Sequence, residues 1–139
     1  MFEEKLEYYE SGQLEYKHQY INDNKHGEQL GYHKNGELWY KLQYLNGEKH
    51  GEQLGYWSNG ELEYKHQYIN GKQHGEQLGY WYDSGELYYK NQYINGEKHG
   101  EQLYYDYGKL SHKFQYLNGG KVSEEEWVAY NRLEKLKKI

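Results

Sequence analysis

Apolar and polar residues alternate along most of this chain, and each alternating run stops at a turn-forming pair such as Asn-Gly. In ELWYKLQYL, starting at Glu37, one parity carries Leu38, Tyr40, Leu42 and Tyr44, and the other carries Glu37, Lys41 and Gln43 with Trp39 and Leu45. Period-two alternation is the signature of a β-strand with one apolar and one polar face. From Leu30 the pattern reads LGYHKNGELWYKLQYLNGEKHGEQ, and it restarts at Leu54 and, one residue longer, at Leu78. A looser copy begins at Leu6 and a shorter one at Leu103. Fixed-period self-similarity means stacked copies of one supersecondary unit, each too small to bury its own apolar surface.

Each copy holds two runs, so the expected fold is all-β: an elongated single-sheet antiparallel meander of ten strands. The array occupies residues 1–119 as five hairpin units of about 24 residues, at 6–29, 30–53, 54–77, 78–102 and 103–119. Asn35-Gly36 and Asn59-Gly60 read as two-residue hairpin turns needing positive φ at both positions. Asn46 to Lys49 reads as a four-residue turn, echoed at Asn70-Gly71 and Asn95-Gly96. Together these pair His33 with Leu38, Gly31 with Tyr40, Leu45 with His50, Tyr40 with Gly55 and Leu38 with Trp57. Gly55 then lies between Tyr40 and Tyr64, and Gly79 between Tyr64 and Tyr89, with the extra residue of the fourth copy absorbed at Asp83-Ser84-Gly85. Tyrosine rings can lie across such in-strand glycines. Glu7 and Tyr104 stand where the inner copies have glycine, as expected of terminal units.

On this register one face carries Leu38, Tyr40, Tyr44, Trp57, Leu62, Tyr64, Tyr68, Trp81, Leu87, Tyr89 and Tyr93. The other mixes Leu30, Tyr32 and Leu45 with Glu28, Lys41 and Gln43, a cross-strand polar ladder suited to water. After Gly119-Gly120 the pattern changes to a C-terminal capping segment, residues 120–139, with a helix from about 124 to 138. Ser123 and Glu126 form a capping box, three early carboxylates and the late Lys135, Lys137 and Lys138 suit the helix dipole, and Trp127, Tyr130, Leu133 and Leu136 make an apolar stripe. Its simplest place is over the last strand edge.

Composition refines this picture. The chain has 20 tyrosines and four tryptophans and a net charge of only −5, so aromatic area replaces the scarce aliphatic side chains and the chain folds. It has no cysteine, so no disulfide or thiolate chemistry is expected. The acidic start MFEEKLEYYESG lacks an apolar leader, and no apolar run is long enough to span a membrane, which points to the cytoplasm. Mild acidity spread along the chain argues against nucleic acid, which needs a basic stripe.

Candidate chemistry is thin. His26, His50, His74 and His99 recur once per copy, two strands or about 9.6 Å apart, too far to share a metal. They read as part of the turn chemistry. The Asn-Gly turns lead into strands rather than helix N-termini, so they are not phosphate cradles. No nucleophile–base arrangement stands apart from the repeat, so no enzyme, metal or cofactor is expected. The feature with functional content is the aromatic face, with Tyr40, Tyr44, Trp57, Tyr64, Tyr68, Trp81, Tyr89 and Tyr93 as candidate partner-binding residues. Tyr and Trp dominate binding hot spots. The sequence leaves open whether that face is a recognition surface or a core.

The unit Y-x-N-G-x-x-H-G-E, at Tyr44 to Glu52, Tyr68 to Glu76 and Tyr93 to Glu101, resembles the MORN-type repeats. It is most similar to the variant in bacterial antitoxin-component proteins of the YwqK type. Arrays ending in a helix like that of Lys121–Trp127 resemble those of giant DNA viruses, which would place the chain in host cytoplasm or virion. The resemblance implies hairpin arrays that bind another protein or their own copy, as in a homodimer. Its alternatives are a peripheral membrane-lipid module, against which the lack of a basic rim speaks, or an antitoxin-like inhibitor of a protein toxin.

Overall fold

A computed structural model describes all residues, 1–139. One sheet runs through the chain in sequence order: β1 (Phe2–Tyr8), β2 (Leu14–Ile21), β3 (Asn24–Tyr32), β4 (Leu38–Leu45), β5 (Glu48–Tyr56), β6 (Leu62–Ile69), β7 (Lys72–Gln73), β8 (Gly75–Tyr80), β9 (Leu87–Ile94), β10 (Glu97–Asp106), β11 (Lys109–Leu117) and β12 (Gly120–Val122). A single helix, α1 (Glu124–Leu136), follows. All neighbouring strands are antiparallel. The ten expected strands are present, with β7 and β8 as two pieces of one of them, broken at His74. The addition is β12, which pairs Gln115 with Val122 and takes the edge beyond β11.

The expected pairings at the glycines hold: Gly31 and Gly55 flank Tyr40, and Gly55 and Gly79 flank Tyr64. The two turn types, however, are the reverse of the expectation. Asn46 and Gly47 both have positive φ, at 50° and 86°, so this is the two-residue turn, and Leu45 pairs with Glu48 rather than His50. At Asn35-Gly36 only Gly36 has positive φ. His33 N–H donates to Glu37 O at 2.8 Å and Gly36 N–H to His33 O at 2.9 Å, giving a longer turn ended by a left-handed glycine. Leu38 therefore pairs with Tyr32, not with His33 or Trp57. Bulges restore the register: one at Trp39, and one at His50-Gly51, where Gly51 has φ 98°. Two turn errors and two unforeseen bulges cancel, which is why the central pairing survives.

The bulges explain what lies inside this sheet. No apolar residue is buried, and four glutamines, Gln29, Gln53, Gln77 and Gln102, are each 1% exposed. Where the bulge opens the ladder, the glutamine side chain completes it as a surrogate peptide. Gln29 Nε2 donates to Gln19 O at 2.8 Å and to Gly27 O at 3.3 Å, and Gln29 Oε1 accepts from Gln19 N–H at 3.2 Å. Gln53, Gln77 and Gln102 donate in the same way to Gln43 O, Gln67 O and Gln92 O. An opened ladder would otherwise leave buried carbonyls unpaired.

Successive repeats are also tied directly through their turns. Gly47 N–H donates to Lys25 O and Gly71 N–H to Lys49 O, both at 2.8 Å. The recurring histidines join them: His26, His50, His74 and His99 accept through Nδ1 from the amides of Asn46, Asn70, Asn95 and Asn118 at 3.1–3.3 Å. Each ring therefore bridges one turn to the next.

The helix has the expected capping box: Ser123 Oγ accepts from Glu126 N–H at 3.2 Å, and Glu126 Oε2 accepts from Ser123 N–H at 2.8 Å. It does not replace a strand at the edge, because β12 is there. Trp127 lies against Gly100, and the Tyr130 ring meets His99 edge-on, 5.7 Å between centroids. The expected apolar stripe is used only in its first half, since Leu133 and Leu136 are 59% and 63% exposed. No helix is long and apolar enough to cross a membrane.

Candidate aromatic interface

The polar face is a repeated ion-pair ladder. Lys17–Glu4, Lys41–Glu28, Lys65–Glu52, Lys90–Glu76 and Lys113–Glu101 lie 3.4–3.7 Å apart. All are well exposed, so each contributes little. Lys41→Ala is expected to change stability by less than about 1 kcal/mol in urea unfolding, and a larger loss would mean the ladder holds the sheet together.

On the opposite face two rows of tyrosines cross the strands. Tyr40, Tyr64 and Tyr89 lie flat on the backbone. A Cβ on Gly31, Gly55 or Gly79 would come within 2.0 Å of the respective ring. Four residues along each strand lie Tyr44, Tyr68 and Tyr93, joined by Tyr20 and Tyr116 in the end copies. Burial pushes the Tyr40 and Tyr89 hydroxyls up to about 12, and raises Tyr44, Tyr64 and Tyr68. These rings are half-buried rather than enclosed.

Trp57 and Trp81 sit elsewhere than their expected places. Both fall in the turns after β5 and β8. Trp57 meets Tyr82 edge-on at 5.4 Å, and Trp81 meets Tyr88 at 4.2 Å. At the matching position of earlier copies, Tyr9 Oη donates to Tyr32 O at 2.6 Å, and His33 Nε2 lies 2.8 Å from Tyr56 O. This turn position thus links one repeat to the next, and the displacement follows from the longer turn. The structure brings Tyr40, Tyr44, Tyr64, Tyr68, Tyr89 and Tyr93 together and leaves the two tryptophans at the rim.

Between the tyrosine rows runs a polar line that sequence reasoning did not single out. His18 Nε2 meets Tyr40 Oη at 2.8 Å, and His66 Nε2 meets Tyr89 Oη at 2.7 Å. Burial, helped by the Lys49 charge, pulls His66 down to about 4 from its usual 6.5. The unfolded chain therefore takes up this proton first. The stabilisation is complete above pH 6.5, falls as pH drops from 6.5 to about 4, and levels off below. Discounted for the ring's partial exposure, the expected loss is about 1–2 kcal/mol. Asn91 holds the matching place in the next copy, so His66→Asn should flatten urea-unfolding stability between pH 7 and pH 4.5 by that amount. An unchanged pH profile would count against this role.

The face also carries charge that composition hid. Lys5, Lys25, Lys49, Lys98 and Lys121 place their ammonium groups 4.2–5.2 Å from the ring centres of Tyr20, Tyr44, Tyr68, Tyr116 and Phe114. No group of three His, Cys, Asp or Glu is placed to hold a metal ion.

Fold and face together define a class: an open array of β-hairpin repeats, polar on one side and paved with tyrosine on the other. Three of its repeats match a family model, that of the MORN repeat variant, at residues 4–22, 25–46 and 49–70. The copies beyond residue 70 keep the same pairing of tyrosine with glycine, as at Gly79 and Tyr89. No curated protein matches the chain.

Proposed function

We propose that this chain is a non-catalytic scaffold that binds another protein through its tyrosine face. The observation that carries the reading is that the rings of Tyr40, Tyr44, Tyr64, Tyr68, Tyr89 and Tyr93 are half-buried, each with an open edge, on a sheet with no buried apolar core. A broad, rigid, amphipathic surface of this kind is what protein hot spots are made from. The polar face carries exposed ion pairs, with apolar side chains exposed at its turn edge, at Leu45, Ile69 and Ile94. A YwqK-type affiliation rests on the unit at Tyr44–Glu52, and a giant-virus one on the helix entered at Lys121–Trp127; either fits a cytoplasmic location.

The test is capture from native extract with wild-type chain and with Tyr68→Ala plus Tyr93→Ala, after gel filtration with light scattering has fixed the oligomeric state. Each truncation is expected to weaken association by about 2 kcal/mol, while Lys41→Ala leaves it unchanged. Folded tyrosine variants that bind every partner at wild-type strength would refute the assignment. Strong co-sedimentation with anionic vesicles, without a protein partner, would replace it by the lipid reading.

A further inference from the structure

Ten lysines of the sheet fall into two rows with different partners. Lys17, Lys41, Lys65, Lys90 and Lys113 on the polar face are each in an ion pair. Lys5, Lys25, Lys49, Lys98 and Lys121 have an aromatic ring instead of a carboxylate. From β3 to β12 they follow the second tyrosine row: Tyr20 pairs with Lys25, Tyr44 with Lys49, Tyr93 with Lys98 and Tyr116 with Lys121. The one gap is Gln73, which pairs with Tyr68. Carboxylates enter the tyrosine rows only at the β1 end, where Glu3 and Glu7 pair with Tyr20 and Tyr16, while Glu15 and Glu63 act on Tyr40, Tyr64 and Tyr89 of the first row. A net acidic chain thus presents a one-sided, evenly spaced line of free cations on aromatic rings.

The spacing of that line selects its ligand. Equivalent lysines lie on every second strand, about 9.6 Å apart. A polyproline-II helix has three residues per turn and a rise of about 3.1 Å, so every third side chain returns to the same face after about 9.3 Å. Over the four intervals from Lys25 to Lys121, about 38 Å, such a peptide drifts out of register by only about 1 Å. Two turns of α-helix advance about 10.8 Å and would drift about 5 Å over the same distance. A β-strand turns alternate side chains away and matches no three-residue period. Aromatic-lined surfaces are also how proline-rich segments are recognised, since their backbone is already ordered.

We propose that the second tyrosine row binds a proline-rich acidic peptide in polyproline-II form, with a carboxylate at every third residue. This rests on the protein-binding reading above and names the partner's chemistry. Prolines pack on Tyr44, Tyr68 and Tyr93, and the carboxylates reach Lys25, Lys49 and Lys98, where the rings hold each ammonium group in place without neutralising it. Gln73 leaves one interval of the line uncharged.

The probe is (Pro-Pro-Glu)5, with (Pro-Pro-Pro-Glu)5 as the control of equal charge and wrong period, measured by fluorescence anisotropy at low salt. The first is expected to bind at least tenfold more tightly than the second. Lys49→Gln with Lys98→Gln should weaken it at least tenfold without altering the melting curve, and Gln73→Lys should tighten it about threefold by filling the gap. Equal binding of the two peptides, or no gain from Gln73→Lys, overturns the proposal. So does tighter lysine-dependent binding of an oligothymidylate or of phosphatidylserine vesicles. If the peptides fail while the Tyr68 and Tyr93 variants still lose a captured protein, only the peptide class falls and the protein-binding face stands.

Discussion

Gln53→Leu is expected to destabilise the chain by about 2–4 kcal/mol in urea unfolding, more than any change on the polar face. Gln53 is 1% exposed, and its Nε2 donates to Gln43 O at 2.8 Å and Gly51 O at 3.2 Å. Leucine fits the volume but removes both donors, stranding two carbonyls at the bulge between β4 and β5. The cost of an unmet buried acceptor exceeds the worth of the bond that meets it. Gln53→Glu keeps the shape and should do no better, because a carboxylate cannot donate and its charge would be buried. The loss should open the array at this repeat junction first, since each unit depends on its immediate neighbours. A loss under about 1 kcal/mol would mean that water satisfies the bulge.

Gly55→Val should cost about 3 kcal/mol and, on the proposed function, also abolish partner binding. A Cβ at Gly55 would meet Tyr64 Cε2 at 2.0 Å and Cζ at 2.6 Å. Gly55 has no positive φ, so its backbone accepts a side chain and the clash with the ring is the whole effect. The ring must then leave the sheet, uncovering backbone and breaking the tyrosine row. In a double-mutant cycle, Gly55→Ala should be nearly neutral once Tyr64→Ala has removed the ring. Tyr64→Phe, which keeps the ring, should remain as stable as wild type. A costly Gly55→Ala in the Tyr64→Ala background would place the strain in the backbone instead.

The contrast between these residues shows what could be seen without a structure. Gly55 and Tyr64 were legible because one is the wrong residue for a strand and the other faces it in each inner copy, but counting from the turns brings them together only because the longer turn and the bulge at Glu63 offset each other. Gln53 was missed, although a signal existed: Gln29, Gln53, Gln77 and Gln102 occupy apolar parity in each copy, and a polar residue repeated at apolar parity marks a buried hydrogen bond. Trp57 was placed on the tyrosine face because both turns contain Asn-Gly, and the dipeptide does not reveal which turn is short. That choice goes with the bulges at Trp39 and at His50-Gly51, which lie in the β3–β4 and β4–β5 pairings and which alternation along the sequence does not announce.

Local rules of alternation, turn residues and period were enough to define the array, its antiparallel order and the capped terminal helix, because all of these repeat or are satisfied within one or two units, whereas the tyrosine–glycine contacts came out right only because reversed turns and bulges offset each other. The tertiary structure alone decided that the interior is made of glutamine amides rather than apolar side chains, that the helix packs on β10 beside His99 and Gly100 while β12 holds the edge, and that ten lysines form two rows, one ion-paired on the polar face and one over aromatic rings on the other. Net charge and composition sum over both faces of a sheet. Only the fold, by assigning each side chain to a face, turns a mildly acidic sequence into a surface with a cationic aromatic line.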